Sequence, residues 1–298
     1  YTMKRIDYNS ESTAMRIARY LGMEKIAWSL RRLHCPVAKD ALVLEIGSGG
    51  NPYYRANVLL DAYEETGERH WVPLVADRPT VFAFAEKLPF KDKVFDFAIA
   101  SHVLEHSQDP RSVLEEMQRV SKGGYVEVPD AFMERLNPYP DHRLEVTVRQ
   151  GRLMIRKKGS WQVDPEITEL YEERAKAIIA GEVIPAHPFT FHVRYYWRDK
   201  IDFEILNPGI EMAPHGIKPQ KSMDRKITVK EKIHARLLTI IRRLFSQRRR
   251  NAGINLVDLL RCPVCRCDNL SAEENSLACN HCGRRYVLRN KIPDMTVI

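Results

Sequence analysis

The stretch VLEIGSGGNPYYRANVLLD, residues 43–61, constrains the fold more than any other part of the chain. Val43, Leu44, Glu45 and Ile46 read as a short buried strand, and Gly47-Ser48-Gly49-Gly50 as the turn that follows it. Glycine at such a turn lets the backbone approach a ligand closely. A second strand ends at Asp61, only 12 positions after Gly49. A crossover between parallel strands usually needs about a dozen residues before its second strand begins. Pro52 can start a helix but cannot sit inside one. The helix that normally links two such strands is therefore absent or cut to about one turn.

That shortening selects among nucleotide ligands. A nicotinamide dinucleotide sets its pyrophosphate on a helix N-terminus, with a third glycine in G-x-G-x-x-G and an acid about 20 residues on, and neither is present. S-adenosylmethionine has no pyrophosphate and tolerates the missing helix dipole. It needs close backbone approach, an acceptor for its ammonium group and a carboxylate for its ribose hydroxyls. Glu45 or nearby carbonyls, and Asp61, supply such acceptors.

Residues 85–130 continue the pattern. Residues 95–100 read as a buried strand, Asp109-Pro110 as a helix start, residues 113–120 as an amphipathic helix, Gly123-Gly124 as its end, and residues 125–128 as the next strand. This is the β-α-β rhythm of a parallel sheet. Leu88-Pro89-Phe90, Phe95-Asp96 and His102-Val103-Leu104-Glu105-His106 with Asp109-Pro110 closely resemble the class I S-adenosylmethionine-dependent methyltransferases of the small-molecule type. The resemblance spans roughly residues 40–130.

It implies a Rossmann-like, seven-stranded α/β sheet with the methionine end of the cofactor near Glu45, Gly47, Ser48 and Gly49. It also implies that Asp61 takes the ribose hydroxyls, that the turn at Ala85-Glu86 faces the adenine, and that Ser101 belongs to the same cofactor site. Two departures stand out. Phe84 occupies the position where the family often has an Asp for the adenine amino group, and the helix after the glycine turn is missing. The amphipathic N-terminal region, with Ile17, Leu21, Ile26 and Leu30 among Arg and Lys, is expected to cover the face that helix would protect.

Methyl transfer is a displacement at a sulfonium methyl group, so the protein mainly supplies alignment, shielding from water and, for some acceptors, a base. His102 follows the fourth strand, on the edge where open α/β sheets bind ligands, and is the candidate base or acceptor-positioning group. His106 is assigned to structure. Beyond Pro129, residues 144–148 and 153–155 alternate around Gln150-Gly151 like a hairpin, residues 165–180 read as a helix, and residues 189–197 and 201–206 as two strands. These include closing strands of the sheet and an inserted substrate region. His142, Arg143, His187, His192 and Arg194 among Tyr139, Tyr195, Tyr196 and Trp197 suit an acidic or ring-bearing substrate.

The net charge of +8 on 298 residues is local. From Lys221 to Arg250 there are 11 Lys/Arg against Asp224 and Glu231, a net +9, which leaves −1 for the rest. Ile233, Leu237, Ile240, Ile241 and Leu244 recur there at helical spacing among arginines. Such a basic amphipathic helix can contact an anionic membrane or RNA phosphates, or pack its apolar stripe on its own protein, the reading preferred here.

Five of the six cysteines lie between positions 262 and 282. Cys262-x-x-Cys265 and Cys279-x-x-Cys282, separated by thirteen residues, form two thiolate hooks that suit a tetrahedral, structural zinc ion. Cys267 and His281 are alternative ligands. With Leu259-Leu260 before the first hook and Ile292-Pro293 at the end, the tail is similar to the small zinc-ribbon activator subunits of tRNA and release-factor methyltransferases, here fused and packing in cis.

The expected organisation is a methyltransferase domain over residues 1–215, a basic helical linker over 216–255 and a zinc ribbon over 256–298. The expected activity is S-adenosylmethionine-dependent methylation, at oxygen or nitrogen, of a small-molecule or glycan-like acceptor. The alternatives are a tRNA or protein methyltransferase and a catalytically silent binding module. With no run of about 18 uncharged apolar residues and no signal-peptide pattern at the start, the expected location is cytoplasmic.

Overall fold

A computed structural model describes residues 10–69, 71–136, 139, 141–159, 165–212 and 229–297. It divides into two units, one drawn from Tyr1–Pro36, Ala100–Pro110 and Tyr125–Ile217, the other from Val37–Ile99, Arg111–Gly124 and Lys218–Ile298.

The second of these units begins with the glycine-turn strand. Strands β1 (Val43–Ile46), β2 (Val58–Asp61) and β3 (Thr80–Phe82) are buried along their whole length, as expected of parallel strands covered on both faces. They pair in parallel, Leu44 opposite Val58 and Leu59 opposite Thr80. With β4 (Phe97–Ser101), β5 (Gly123–Pro129) and β8 (His192–Arg198) they form a six-stranded sheet of order β3-β2-β1-β4-β5-β8. The order reverses between β1 and β4, the switch point at which open α/β sheets bind ligands beyond their carboxyl ends. Helix α3 (Pro110–Val120) is close to its expected span, but Gly123 and Gly124 open β5 instead of ending the helix.

Residues 47–57, between β1 and β2, contain no helix. Side chains take over the polar duties of the missing turn. Asn57, fully buried, accepts from Val43 N at 3.0 Å through Oδ1 and donates its own N–H to Val43 O at 2.8 Å. Glu45 Oε2 accepts from Tyr53 N at 2.7 Å. The cover over this connection is C-terminal. Asn57 Nδ2 donates to Asn251 Oδ1 (2.8 Å) and Gln247 Oε1 (3.1 Å), and the Tyr54 and Phe245 rings are 6.5 Å apart. Phe245 ends the helix Val229–Phe245, Gln247 is the N-cap of the short helix Arg248–Ala252, and Asn251 lies within it.

The N-terminal region, expected to cover that connection, forms a small apolar cluster within its own unit. Helix α1 (Thr13–Tyr20), capped by Ser12 Oγ accepting from Met15 N at 3.2 Å, and helix α2 (Glu24–Leu30) bury Met15, Ala18 and Ala27 against Leu30 and Phe189. Ile17, Leu21 and Ile26 are exposed.

The seven-stranded expectation also differs from the main sheet, which has six strands among the described residues. The hairpin β6 (Leu144–Arg149) and β7 (Arg152–Lys157) takes β9 (Phe203–Ile205) as a parallel neighbour and forms its own three-stranded sheet. Its turn residues Gln150 and Gly151 have φ of 50° and 76°, the left-handed pair favoured by a tight hairpin. Strand β8 starts late, because His187-Pro188 opens one helical turn, Pro188–Phe191, before it. The helix expected over 165–180 runs on to Ala186 with wide turns at Tyr171–Ala175 and Ile179–Val183. Pro185 lacks the N–H a regular turn would use.

Four short strands, β10 (Leu270–Ala272), β11 (Ser276–Cys279), β12 (Arg285–Arg289) and β13 (Ile292–Pro293), form an antiparallel sheet at the C-terminal end. Asp294 bridges Phe82 of β3, Met295 N donates to Phe82 O at 2.8 Å, and Leu260 bridges Phe90. In the basic segment, Leu237, Ile240 and Leu244 are exposed, so the preferred reading of a stripe packed on its own protein is corrected for these positions; Phe245, just beyond the stripe, is exposed as well. Residues 221–228 and the Ile233 side chain lie outside the described residues. No helix among the described residues is long and apolar enough to cross a membrane.

Candidate functional site

The glycine turn after β1 is built by conformations only glycine adopts readily. Gly47 and Gly49 have φ of 67° and 56°, while Gly47 N and Ser48 N both reach Leu60 O of the neighbouring strand, at 2.8 and 3.1 Å. Asp61, at the carboxyl end of β2, accepts from Gly49 N at 2.9 Å and Tyr63 N at 3.1 Å. Arg69 Nη1 stands 3.3 Å from both Asp61 oxygens, longer than a tight charge-assisted bond. Ser48 is buried and its Oγ has no hydrogen-bond partner. A carboxylate beside a glycine turn with an unmatched buried hydroxyl fits the ribose and methionine ends of S-adenosylmethionine. Glu45, in contrast, spends an oxygen on Tyr53 N.

A loop takes the place of the absent helix against this turn. A Cβ at Gly50 would come within 2.4 Å of Val72 Cγ1, and one at Gly49 within 3.2 Å of Arg69 Cδ. Val75 N donates to Gly49 O at 3.0 Å. Beyond Asp61, an open cleft of ≈ 520 Å³ is lined by Tyr63, Glu64, Phe84, Arg289 and Thr296. The Tyr63 and Phe84 rings lie 6.0 Å apart, edge to face. Ala85 and Glu86, half-buried, follow Phe84 in a turn closed by Lys87 N on Phe84 O at 3.1 Å.

The other unit holds a buried charged cluster. Glu127, on β5, accepts from Arg31 Nε at 2.8 Å, Arg31 Nη2 at 3.0 Å, Ser101 Oγ at 2.8 Å and Tyr125 Oη at 2.5 Å. His102 sits at φ 57°, an uncommon conformation for a non-glycine residue. Its Nδ1 is 3.2 Å from Glu105 Oε1 and its Nε2 3.5 Å from Glu127 Oε1. Burial alone would lower the His102 pKa, but the two carboxylates outweigh it and lift the group to about 9. The side chain keeps 38% exposure, so solvent screens part of that effect. Burial would raise Glu127, yet His102 and Arg31 hold its carboxyl well below the usual range.

The structure brings some sequence-predicted residues together and separates others. His192 lies 4.7 Å from the Trp28 ring and 5.5 Å from His102, with Nδ1 donating to Pro188 O at 2.9 Å. Arg194 Nε donates to Tyr125 Oη at 3.2 Å, and its guanidinium lies 5.2 Å from the Phe189 ring centre. Both residues line an open cleft of ≈ 380 Å³ with Glu11, Arg19, Asp130 and Phe189. Ser101 is committed to Glu127. His142 pairs with the buried Glu134, Nδ1 to Oε2 at 2.6 Å, and Arg143 N donates to Glu105 O at 2.6 Å. His187 is exposed, 3.7 Å from Glu24. Sequence reasoning missed Arg31, Trp28 and Glu127. The available signal was a lone acid in the apolar run Tyr125-Val126-Glu127-Val128.

The sulfur atoms of Cys262, Cys265, Cys279 and Cys282 all lie within 4.8 Å of one another. Each hook closes on itself, Arg266 N donating to Cys262 O at 3.0 Å and Gly283 N to Cys279 O at 2.9 Å. Burial would raise the Cys262 thiol, but backbone N–H groups of Cys265 and Val264 and the Tyr286 hydroxyl bring it down to about 6. Four thiols at this spacing are compatible with zinc. Cys267 and His281 stand outside the group.

Residues 60–127, from β2 through β5, match the family model described as a methyltransferase domain. The chain is 37% identical over 75 residues to an uncharacterized methyltransferase of Schizosaccharomyces pombe, covering 25% of this chain and 27% of that protein. It is 28% identical over 184 residues to one of Mycolicibacterium paratuberculosis, covering 55% and 71%. Among solved structures, a complex of the Haloferax volcanii Trm112 methyltransferase activator with a methyltransferase aligns at 17% identity and a TM-score of 0.37, over 62% of this chain and 96% of that one. The chain thus spans about a quarter of the length of the S. pombe relative. The aspartate that faces the glycine turn thus stands at the start of the segment, residues 60–127, that is similar to a methyltransferase domain.

Proposed function

We propose that the chain binds S-adenosylmethionine at the carboxyl ends of β1 and β2 and methylates an oxygen or nitrogen of a small-molecule or glycan-like acceptor. The observation that carries this reading is Asp61 held at 2.9 Å on Gly49 N, with the buried Ser48 hydroxyl unmatched beside it. In the bound state the ribose hydroxyls replace Arg69 on Asp61, and Gly47, Ser48 and Gly49 receive the methionine end. Ala85-Glu86 and the Tyr63–Phe84 pair receive the adenine, an aromatic wall standing where the family often has an acid. The cofactor supplies an electrophilic sulfonium methyl; the protein's share is alignment and exclusion of water.

His102 is the acceptor-positioning group. Both ring nitrogens face carboxylates, which hold the ring in its protonated form, so neither is free to act as a base. His192 and Arg194, lining the ≈ 380 Å³ cleft, suit an acceptor with acidic or ring character. The four thiolates hold a structural zinc ion, which leaves no open position for catalysis, and the C-terminal sheet packs in cis on the edge strand β3. The exposed Leu237, Ile240, Leu244 and Phe245 among arginines favour an anionic lipid surface over RNA as partner of the basic helix.

The test is transfer of labelled methyl from S-adenosylmethionine to a panel of hydroxylated and aminated small molecules and oligosaccharides, alongside bulk tRNA and protein. Label on a small acceptor, lost in Asp61→Ala, is the expected result. Label on tRNA or protein alone would replace this reading with the macromolecular one.

A further inference from the structure

Three residues outside the cofactor turn converge on one point. Glu105 and His106 lie in the single helical turn Leu104–His106 after β4, and His142 lies just before β6. One ligand atom from each lies within 4.8 Å of the others. Glu105 is 1% exposed, and neither of its carboxylate oxygens has a hydrogen-bond partner. A buried carboxylate left without hydrogen bonds costs several kcal/mol unless a cation stands against it. His102, 3.2 Å from Oε1, faces one of the two oxygens.

The surroundings of the two histidines decide what that second partner is. His142 Nδ1 is 2.6 Å from Glu134 Oε2, and His106 Nδ1 is 3.2 Å from the Asp141 carbonyl oxygen. Both are acceptors, so each Nδ1 carries a proton, and in the neutral ring it is Nε2 that offers the lone pair. Glu134 is itself fixed by Lys158 and by Tyr139 N at 3.0 Å. A histidine whose outer nitrogen is held by a carboxylate or carbonyl is the arrangement that orients imidazole toward a metal. The rings meet edge to face with centres 4.8 Å apart, close enough to share one ion.

We propose that Glu105, His106 and His142 form a second metal site, distinct from the cysteine cluster, that takes a divalent first-row transition ion. Two imidazoles and one carboxylate suit zinc, iron or manganese better than calcium or magnesium, which take all-oxygen sets. Three protein ligands leave a position open to water or to an oxygen of a bound molecule. His106, assigned to structure on sequence grounds, becomes a ligand, and Glu134 a positioning residue acting through His142.

The experiment uses the full chain loaded with one equivalent of zinc, so that the four thiols are saturated, and titrates further Zn2+ calorimetrically with metal content measured after gel filtration. The wild type should hold two zinc ions per chain, and Glu105→Gln and His142→Ala one each. Glu134→Gln should weaken the second site by about 10- to 100-fold. A direct readout needs no variant: the Nε2 resonances of His106 and His142 should shift on addition of the second equivalent. One zinc per wild-type chain, two per variant chain, or unmoved Nε2 resonances would each overturn the proposal. No cofactor enters the titration, so its outcome is independent of S-adenosylmethionine binding.

Discussion

Glu127→Gln is the most informative single change in the buried cluster. The Arg31 side chain is 9% exposed and that of Glu127 is fully buried, so the value for a buried pair applies rather than the small one for a surface pair. Glutamine has nearly the same shape but cannot satisfy the site in either orientation. Oε1 accepts from Arg31 Nη2 and Ser101 Oγ, and Oε2 from Arg31 Nε and Tyr125 Oη. An amide NH2 at either position would point a donor at an Arg31 donor. Leaving the guanidinium buried against a neutral amide should cost about 3–5 kcal/mol, which for a chain of this size lowers the melting temperature by about 5–8 °C.

The sign with pH follows from the depressed Glu127 pKa. A carboxyl held below its unfolded value stabilises the fold above the ordinary carboxylate range, and that contribution is lost as pH falls through the folded pKa. The gap between wild type and Glu127→Gln, read by urea denaturation and thermal melts, should be full at pH 7 and narrow in acid. A loss below about 1 kcal/mol at pH 7 would refute the reasoning and mark the cluster as solvent-screened.

Other consequences are as direct. Asn251→Leu leaves the Asn57 amide short of its 2.8 Å acceptor beneath the helix-free connection and should cost about 1–3 kcal/mol in urea unfolding. Gly50→Ala drives a Cβ to 2.4 Å from Val72 Cγ1 and 3.0 Å from Pro73 O. It should destabilise by about 1–3 kcal/mol and loosen residues 67–75, as hydrogen exchange would show. Arg69→Ala removes the cation now beside Asp61 and should leave S-adenosylmethionine affinity equal or higher, whereas an abolished affinity would make Arg69 a cofactor ligand. Stripping zinc with a chelator should unfold the C-terminal sheet, visible as lost protection of the Tyr286 and Leu277 amides.

The parts of the molecule legible in sequence are those set by short-range chemistry. Val43–Ile46, the glycine turn and the Pro110 helix start announce themselves by apolar runs, glycine and proline. The two Cys-x-x-Cys hooks are equally local, because knuckle geometry needs only a few neighbouring residues. What covers the shortened connection was not legible, since Asn57 meets Asn251 across 194 positions and no periodicity reports such a pairing. The same holds for Arg31 on Glu127, 96 positions apart. His106 looked structural because its partner His142 joins it only when β5 and the turns around it are in place. Phe84 read as a lost acid, and only its distance to Tyr63 gives it an aromatic role.

The central claim rests on Asp61 beside the glycine turn, and calorimetric titration of S-adenosylmethionine into the zinc-loaded full chain tests it most directly. The account predicts saturable binding to one site, weakened roughly 10- to 100-fold in Asp61→Ala, as expected for loss of hydrogen bonds to a charged acceptor. Absence of binding in the wild type, or equal affinity in Asp61→Ala, would contradict it.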